Sequence, residues 1–285
     1  MKGDIRRLSL NLTRRLPIAI IGLLVVMTGV PLSSIATASA APIILVGNGA
    51  NSTNWSGYAV TGAAKTITNA QGSWIVPSVD CGVTPNSFSS YWVGIDGFNS
   101  NTVEQTGTDS DCSQGHATYY AWVEFFPRPS KVLSGFPVSA GDTISASVKF
   151  NPPASRFGIG TFTLTIQDLT TGKTSSSSGS VLGAQRSSAE FIVEAPAICS
   201  ILKCHLASLS DFGTASFGAD YTSVSGVNCA VAISGGPLAP IGSYGAAVQQ
   251  INMVSQSNPS VVKAQPSALS IDGTSFTVQW TSAGQ

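Results

Sequence analysis

The sequence predicts an all-β fold, and three observations carry that reading. Charged residues make up only 10% of the 285 residues, which is poor material for a helical bundle rich in Ala, Leu, Glu and Lys. Several segments alternate apolar and polar residues with a period of two, the mark of a strand with one face buried. Turn-forming residues separate these segments at short intervals, the spacing of a sandwich or barrel.

The elements can be taken in chain order. Lys2, Arg6, Arg7, Arg14 and Arg15 form a basic start, followed by the apolar run Leu16 to Val30 and the small-residue stretch ATASAAP. That order reads as a bacterial-type export signal over 1–40, cleaved after Ala40. The apolar run is short for a membrane span. Arg14-Arg15 leaves general and twin-arginine export both open. Residues 41–50 read as a short lead-in or propeptide remnant, and 51–285 as a single β domain. Asp142 to Phe150 places Ile144, Ala146, Val148 and Phe150 on one face. Thr161 to Ile166 repeats the pattern with Phe162, Leu164 and Ile166, and LTTGKT after it signals a hairpin. Asp272-Gly273 marks a tight turn before the alternating Phe276, Val278 and Trp280.

The formal charge of zero hides an asymmetry. Five of 14 Lys+Arg and one of 14 Asp+Glu precede residue 41, leaving nine basic and thirteen acidic residues, a net charge of −4. With no basic patch, a nucleic-acid partner is not expected. Few charges also mean little repulsion on acidification, a hint of an acidic habitat. All five cysteines lie in the mature part, and export permits disulfides. The expected pairing is Cys81–Cys112 and Cys199–Cys204 with Cys229 free. There is no C-x-x-C and only His116 and His205 could assist, so no metal is expected.

The common hydrolase constellations are missing: no G-x-S-x-G, no H-E-x-x-H, no Asp-Thr-Gly or Asp-Ser-Gly. A scattered Ser/His/Asp triad would have to use His116 or His205. Carboxylates remain. Asp96 in YWVGIDG, Glu124 in YYAWVEFFP, and Glu190 and Glu194 in AEFIVEAP sit inside apolar, aromatic, strand-like segments where a charge is expensive. Beside Trp92, Trp122, Tyr119 and Phe125 they suggest a cleft.

Those segments resemble the glutamic peptidases, the eqolisin family known best from fungi. NWSGYAV (54–60) and GSWIVPSV (72–79) look like its first strands, and YWVGIDGFNSNTVEQTGTD (91–109) is similar to its W-V-G-I-D-G…L-Q-T-G-x-D stretch. YYAWVEFFP (119–127) and SSAEFIVEAP (187–196) resemble two further blocks. The resemblance covers roughly 54–127 and 187–196. It implies two curved antiparallel sheets packed as a sandwich, lectin-like, with a substrate groove on one concave face. It implies a secreted, extracellular acid endopeptidase working with Gln105 and Glu190 and no cofactor. Trp92, Asp96, Trp122 and Glu124 would fall in the substrate cleft, and Asp109 would support the dyad's surroundings. Tyr120, Phe126, Arg128 and Lys131 depart from the fungal pattern, which implies altered subsite preference.

The chemistry suits the pair. A Glu is still partly ionised at pH 3–4, where a His is fully protonated and useless as a base. A Gln N–H does not titrate, so it can stabilise an oxyanion in acid. In a strand, residues 190, 192 and 194 share a face, making Glu194 the second candidate, whereas Glu104 points away from its neighbour Gln105. The expected partners are protein or peptide substrates, with no membrane after signal removal and a monomeric state. The rival readings are a carbohydrate-active or carbohydrate-binding sandwich using Glu124 and Glu190, and a catalytically inactive binding module of the same fold.

Overall fold

Period-two alternation becomes paired strands throughout the computed structural model, which describes residues 36–37, 43–46, 49–155, 158–199, 203–224 and 228–284. The expected export signal lies almost wholly outside them. Within the expected lead-in, Ile43–Val46 pairs antiparallel with Gly49–Ser52. The longer strands are β1 (Gly49–Ser52), β2 (Trp55–Thr61), β3 (Ile67–Ile75), β4 (Ser90–Ile95) and β5 (Val103–Ser113). They continue with β6 (His116–Phe126), β7 (Thr143–Asn151), β8 (Thr161–Asp168), β9 (Lys173–Gly179) and β10 (Ser188–Glu194). The last are β11 (Thr214–Gly218), β12 (Ala230–Ile233), β13 (Val248–Val254), β14 (Val262–Pro266) and β15 (Ser275–Trp280). One four-residue α-helix, Ala219–Thr222, accompanies them.

Two antiparallel layers result. The first runs β13–β2–β10–β4–β5–β6. The second runs β9–β8–β7–β3, and β3 passes on to β11 and β12. Strands β11–β15–β14–β13 carry the pairing from one layer round to the other. Strand β1 lies parallel to β13.

The core fills the space between the layers. Ile144, Ala146, Val148, Phe162, Leu164 and Ile166 face it from β7 and β8, and Phe276 and Val278 from β15, as their alternation predicts. From the other layer come Tyr91, Val93 and Ile95 of β4 with Ala189, Phe191 and Val193 of β10. The expected hairpin joins β8 to β9 with Asp168 opposite Lys173. Phe276 stacks on Phe217 and meets Tyr58 edge-on, with centroids 5.0 and 4.9 Å apart. The disulfides are Cys81–Cys112 and Cys199–Cys204, and Cys229 is free and buried.

Glu104 brings a carboxyl to the core face of β5. Glu104 lies between Ile95 and Phe125 across the sheet, fully buried, with neither carboxyl oxygen hydrogen-bonded. Burial, with Asp96 adding repulsion, pushes its pKa up to about 9 against the pull of Arg128 and Arg186. The folded state therefore keeps it protonated, while the unfolded chain ionises near pH 4.3. Its contribution to stability is full below about pH 4 and is lost as pH rises toward about 9, at ~1.4 kcal/mol per pH unit in between. Glu104→Leu is expected to raise the melting temperature at pH 7 and to flatten its fall between pH 4 and 8. Calorimetry across that range checks it, and an unchanged pH slope would refute the assignment.

Candidate active site

The outer face of the first layer carries the residues that the core face leaves over. On β10, Ala189, Phe191 and Val193 enter the core, so Glu190, Ile192 and Glu194 face the other way. Register then lines up three rows across β10, β4, β5 and β6. Glu190 lies opposite Gly94, which lies opposite Gln105, which lies opposite Glu124. Ile192, Trp92, Gly107 and Trp122 form the second row, and Glu194, Ser90, Asp109 and Tyr120 the third. Directly opposed residues share a face, so seven of the eight residues singled out in the sequence converge here.

Glycines make room for the tryptophans. A Cβ on Gly94 would lie 2.9 Å from Trp92 Cζ3 and 3.2 Å from Gln105 Cβ. A Cβ on Gly107 would lie 2.7 Å from Trp92 Cβ and 3.1 Å from Trp122 Cζ2. Gly94 therefore puts no side chain of its own between Glu190 and Gln105, which stand two strand spacings apart, about 10 Å at Cα, and the Trp92 ring lies against it. Trp55 of β2 meets Trp92 edge-on at 5.0 Å. With Ala59, Phe98, Val103, Ile192 and Trp122 they form a second apolar cluster, separate from the core.

The carboxyls divide by their partners. Glu194 is anchored: Trp92 Nε1 donates to its Oε2 at 2.8 Å and Asn54 Nδ2 to its Oε1 at 3.0 Å. Asp96 stands off the face, in the turn after β4 with φ 72°. Its Oδ2 accepts from the Arg186 N–H at 2.6 Å and its Oδ1 from the Ser187 N–H at 2.9 Å. It thus fixes the chain entering β10, two residues before the Ser188-Ala189-Glu190 run begins its ladder. Glu124 accepts from Gln105 Nε2 at 2.7 Å. Burial, and then the charge of Glu194, push Glu124 up to about 9 against that hydrogen bond. Glu190 is fully buried and neither of its oxygens is hydrogen-bonded. Burial raises its pKa well above the ordinary value; the nearby Ser188 hydroxyl and Phe98 backbone pull against the rise, and Asp96 and Glu104 add to it. Gln105 Oε1, Glu124 Oε1, Ser188 Oγ and Trp55 Nε1 also lack partners. Buried polar atoms are almost always paired. A concentration of orphans at Glu190, Gln105 and Glu124, all in one row, is what a site built for a polar ligand leaves.

Asp109, Asp111 and Tyr120 hold a shared proton. The Tyr120 hydroxyl lies 2.8 Å from Asp109 Oδ2 and 2.8 Å from Asp111 Oδ2. A phenol has a single O–H, so one of the two contacts is made by a protonated carboxyl donating to the phenol oxygen. Burial supplies that proton's affinity: it raises Asp109 to about 6 and Asp111 well above its ordinary value, Asp111 also feeling the Asp109 charge. The other oxygen of Asp109 accepts from Trp122 Nε1 at 2.6 Å. Sequence reasoning gave no role to Asn54, Tyr120 or Asp111. Tyr120 carried a signal only as a departure from the family pattern. His116 and His205 are both exposed.

The chain matches the model of the Peptidase A4 family over residues 53–264. It is 35% identical over 148 residues to scytalidopepsin B of Scytalidium lignicola, covering 50% of this chain and 51% of that protein. It is 32% identical over 165 residues to aspergillopepsin-2 of Aspergillus niger, covering 50% and 56%. The chain thus spans about half the length of the curated relatives it matches. Among solved structures, scytalido-glutamic peptidase with a transition state analog inhibitor superposes with a TM-score of 0.63 at 25% identity, covering 80% of this chain and 98% of that one. A complex of SCP-B, of the eqolisin family, with the tripeptide Ala-Ile-His gives 0.61 at 24% identity, over 80% of this chain and 98% of that one.

Tyr120→Phe removes the bridge and strands two buried carboxyls. It is expected to cost about 1–3 kcal/mol in urea unfolding at pH 4 and to alter tryptophan fluorescence through Trp122. Wild-type stability in the variant would show that the proton is not shared.

Proposed function

The chain belongs to the Peptidase A4 family, and from that premise we propose that it is a secreted acid endopeptidase using Glu190 and Gln105 on protein or peptide substrates. The observation that carries this reading is the row Glu190–Gly94–Gln105–Glu124, with its unpartnered carboxyl and amide oxygens on either side of a glycine.

Amide hydrolysis needs a base for water, a donor for the oxyanion and a proton for the leaving nitrogen. In this reading the ionised form of Glu190 takes a proton from a water shared with Gln105. The same carboxyl then returns that proton to the departing amine. Its raised pKa favours the proton-carrying form, which suits delivery to nitrogen; the base step draws on the smaller ionised fraction. Gln105 has two N–H donors. One is spent on Glu124, which fixes the amide plane, and the other is free for the oxyanion. One such donor is worth ~3–4 kcal/mol of transition-state stabilisation. Its free Oε1 can accept from the attacking water. Glu194, already bound to Trp92 and Asn54, is the poorer base and the better support for the tryptophan wall. Trp92 and Trp122 would flank the substrate, and Asp109 would hold Trp122. Asp96 would act through the backbone of β10.

Purified mature protein is expected to cleave acid-denatured casein between pH 2 and 7 and to be indifferent to pepstatin. Glu190→Gln should abolish cleavage, and Gln105→Ala should lower kcat by roughly 100-fold or more. Cleavage that survives Glu190→Gln would move the base to Glu194 or Glu124. No cleavage by the wild type at any of these pH values would favour the sugar-binding or inactive alternatives. Gly94→Ala, whose Cβ would press on the Trp92 ring and on Gln105, should lower kcat at least tenfold while leaving the far-UV circular dichroism unchanged; full activity would refute the need for a glycine between Glu190 and Gln105.

A further inference from the structure

Lys263, on β14, is 2% exposed. Its stem lies so close to Gly284 that a Cβ there would be 2.4 Å from the lysine Cγ and Cδ. Among the described residues its ammonium has neither a hydrogen bond nor an ion pair, and burial alone lowers its pKa to about 8. An ammonium is three donors with no acceptor, and burying it without a counter-charge is costly.

The lysine borders a pocket of about 400 Å³. Polar Thr53, Ser208, Ser255, Gln256 and Ser257 line it beside Leu206 and Ala207, and no acidic residue does among the described ones. Ser255 and Ser257 stand with their hydroxyls 3.0 Å apart. Strand order separates this pocket from the catalytic row: β13, β2, β10 and β4 lie between β14 and the strand of Gln105. A nearly buried lysine bordering a pocket with several hydroxyl and amide groups, and with no acidic residue in the described lining, suits an anionic ligand.

We propose that this pocket is a binding site for a small oxyanion, anchored by the Lys263 ammonium and by hydroxyl donors from Thr53 and Ser255. The ligand would be inorganic sulfate or phosphate, or the carboxylate of a short peptide or amino-acid derivative. Both present two or more acceptor oxygens to the same donors.

The test uses mature full-chain protein labelled with ¹³C at lysine Cε, at pH 6, where carboxylates are ionised and Lys263 is charged. Sodium sulfate, inorganic phosphate and N-acetylalanine are titrated separately, each against sodium chloride of matched ionic strength. The expected result is a saturable shift of the Lys263 signal with at least one of the three and none with chloride. Lys263→Gln should remove the binding, read by calorimetry. Ser255→Ala, a milder change that spares the cation, should weaken it at least threefold. Saturation by N-acetylalanine alone identifies a carboxylate ligand; saturation by sulfate or phosphate alone identifies an inorganic one. A linear response equal to that of chloride, or binding undiminished in both variants, overturns the proposal. If Lys263→Gln fails to fold, the Ser255→Ala titration decides.

Discussion

Strand β10 is held on both edges by antiparallel partners, β2 on one side and β4 on the other. Because its residues alternate faces, committing Ala189, Phe191 and Val193 to the core commits Glu190 and Glu194 to the opposite face. A one-residue slip would exchange the two sets, putting two carboxyls in the core and three apolar side chains in the site. The apolar core is therefore what aims the catalytic candidate. Asp96 secures the same register from the end of the strand, since its carboxyl binds the backbone at 186 and 187 while its own N–H donates to Ser188 O at 3.0 Å.

A sheet face loaded with carboxyls would normally repel itself. Here the charges are spaced by tryptophans, and the tryptophans are seated by glycines. Each indole N–H of Trp92 and Trp122 goes to a carboxylate oxygen, of Glu194 and Asp109 respectively. At Glu124, Glu190 and Asp111 burial makes ionisation expensive and favours the proton-carrying form. Raised carboxyl pKa values at Glu104, Glu124, Glu190, Asp109 and Asp111 all act in the same direction, toward a fold at its best in acid.

Much of this was legible in the residues. Alternation located β7, β8 and β15, because each has one wet face and one dry face and so writes its orientation into the sequence. The first layer was harder to read from periodicity, since β4 and β10 are buried on both faces; there the family blocks carried the reading. Pairwise partners were not legible. Nothing in a linear reading brings Asn54 to Glu194 across 140 positions, or shows that Tyr120 lies between two aspartates. Glu104 was rightly turned away from Gln105, but its burial in the core depends on which strands flank β5.

The pairing runs from one layer to the other through β11, β15, β14 and β13, and leaves open edges at β6 and β9. For a chain proposed to cut other chains, that has a consequence for survival. A segment must leave its ladder and lie extended in a cleft before its peptide bonds can be attacked, and a residue hydrogen-bonded to neighbours on both sides pays the cost of local unfolding first. Pairing on both sides of the interior strands thus makes each molecule a poor meal for its siblings. The points of entry are the connections outside the ladders, and the durability of the protein in its own company is set there.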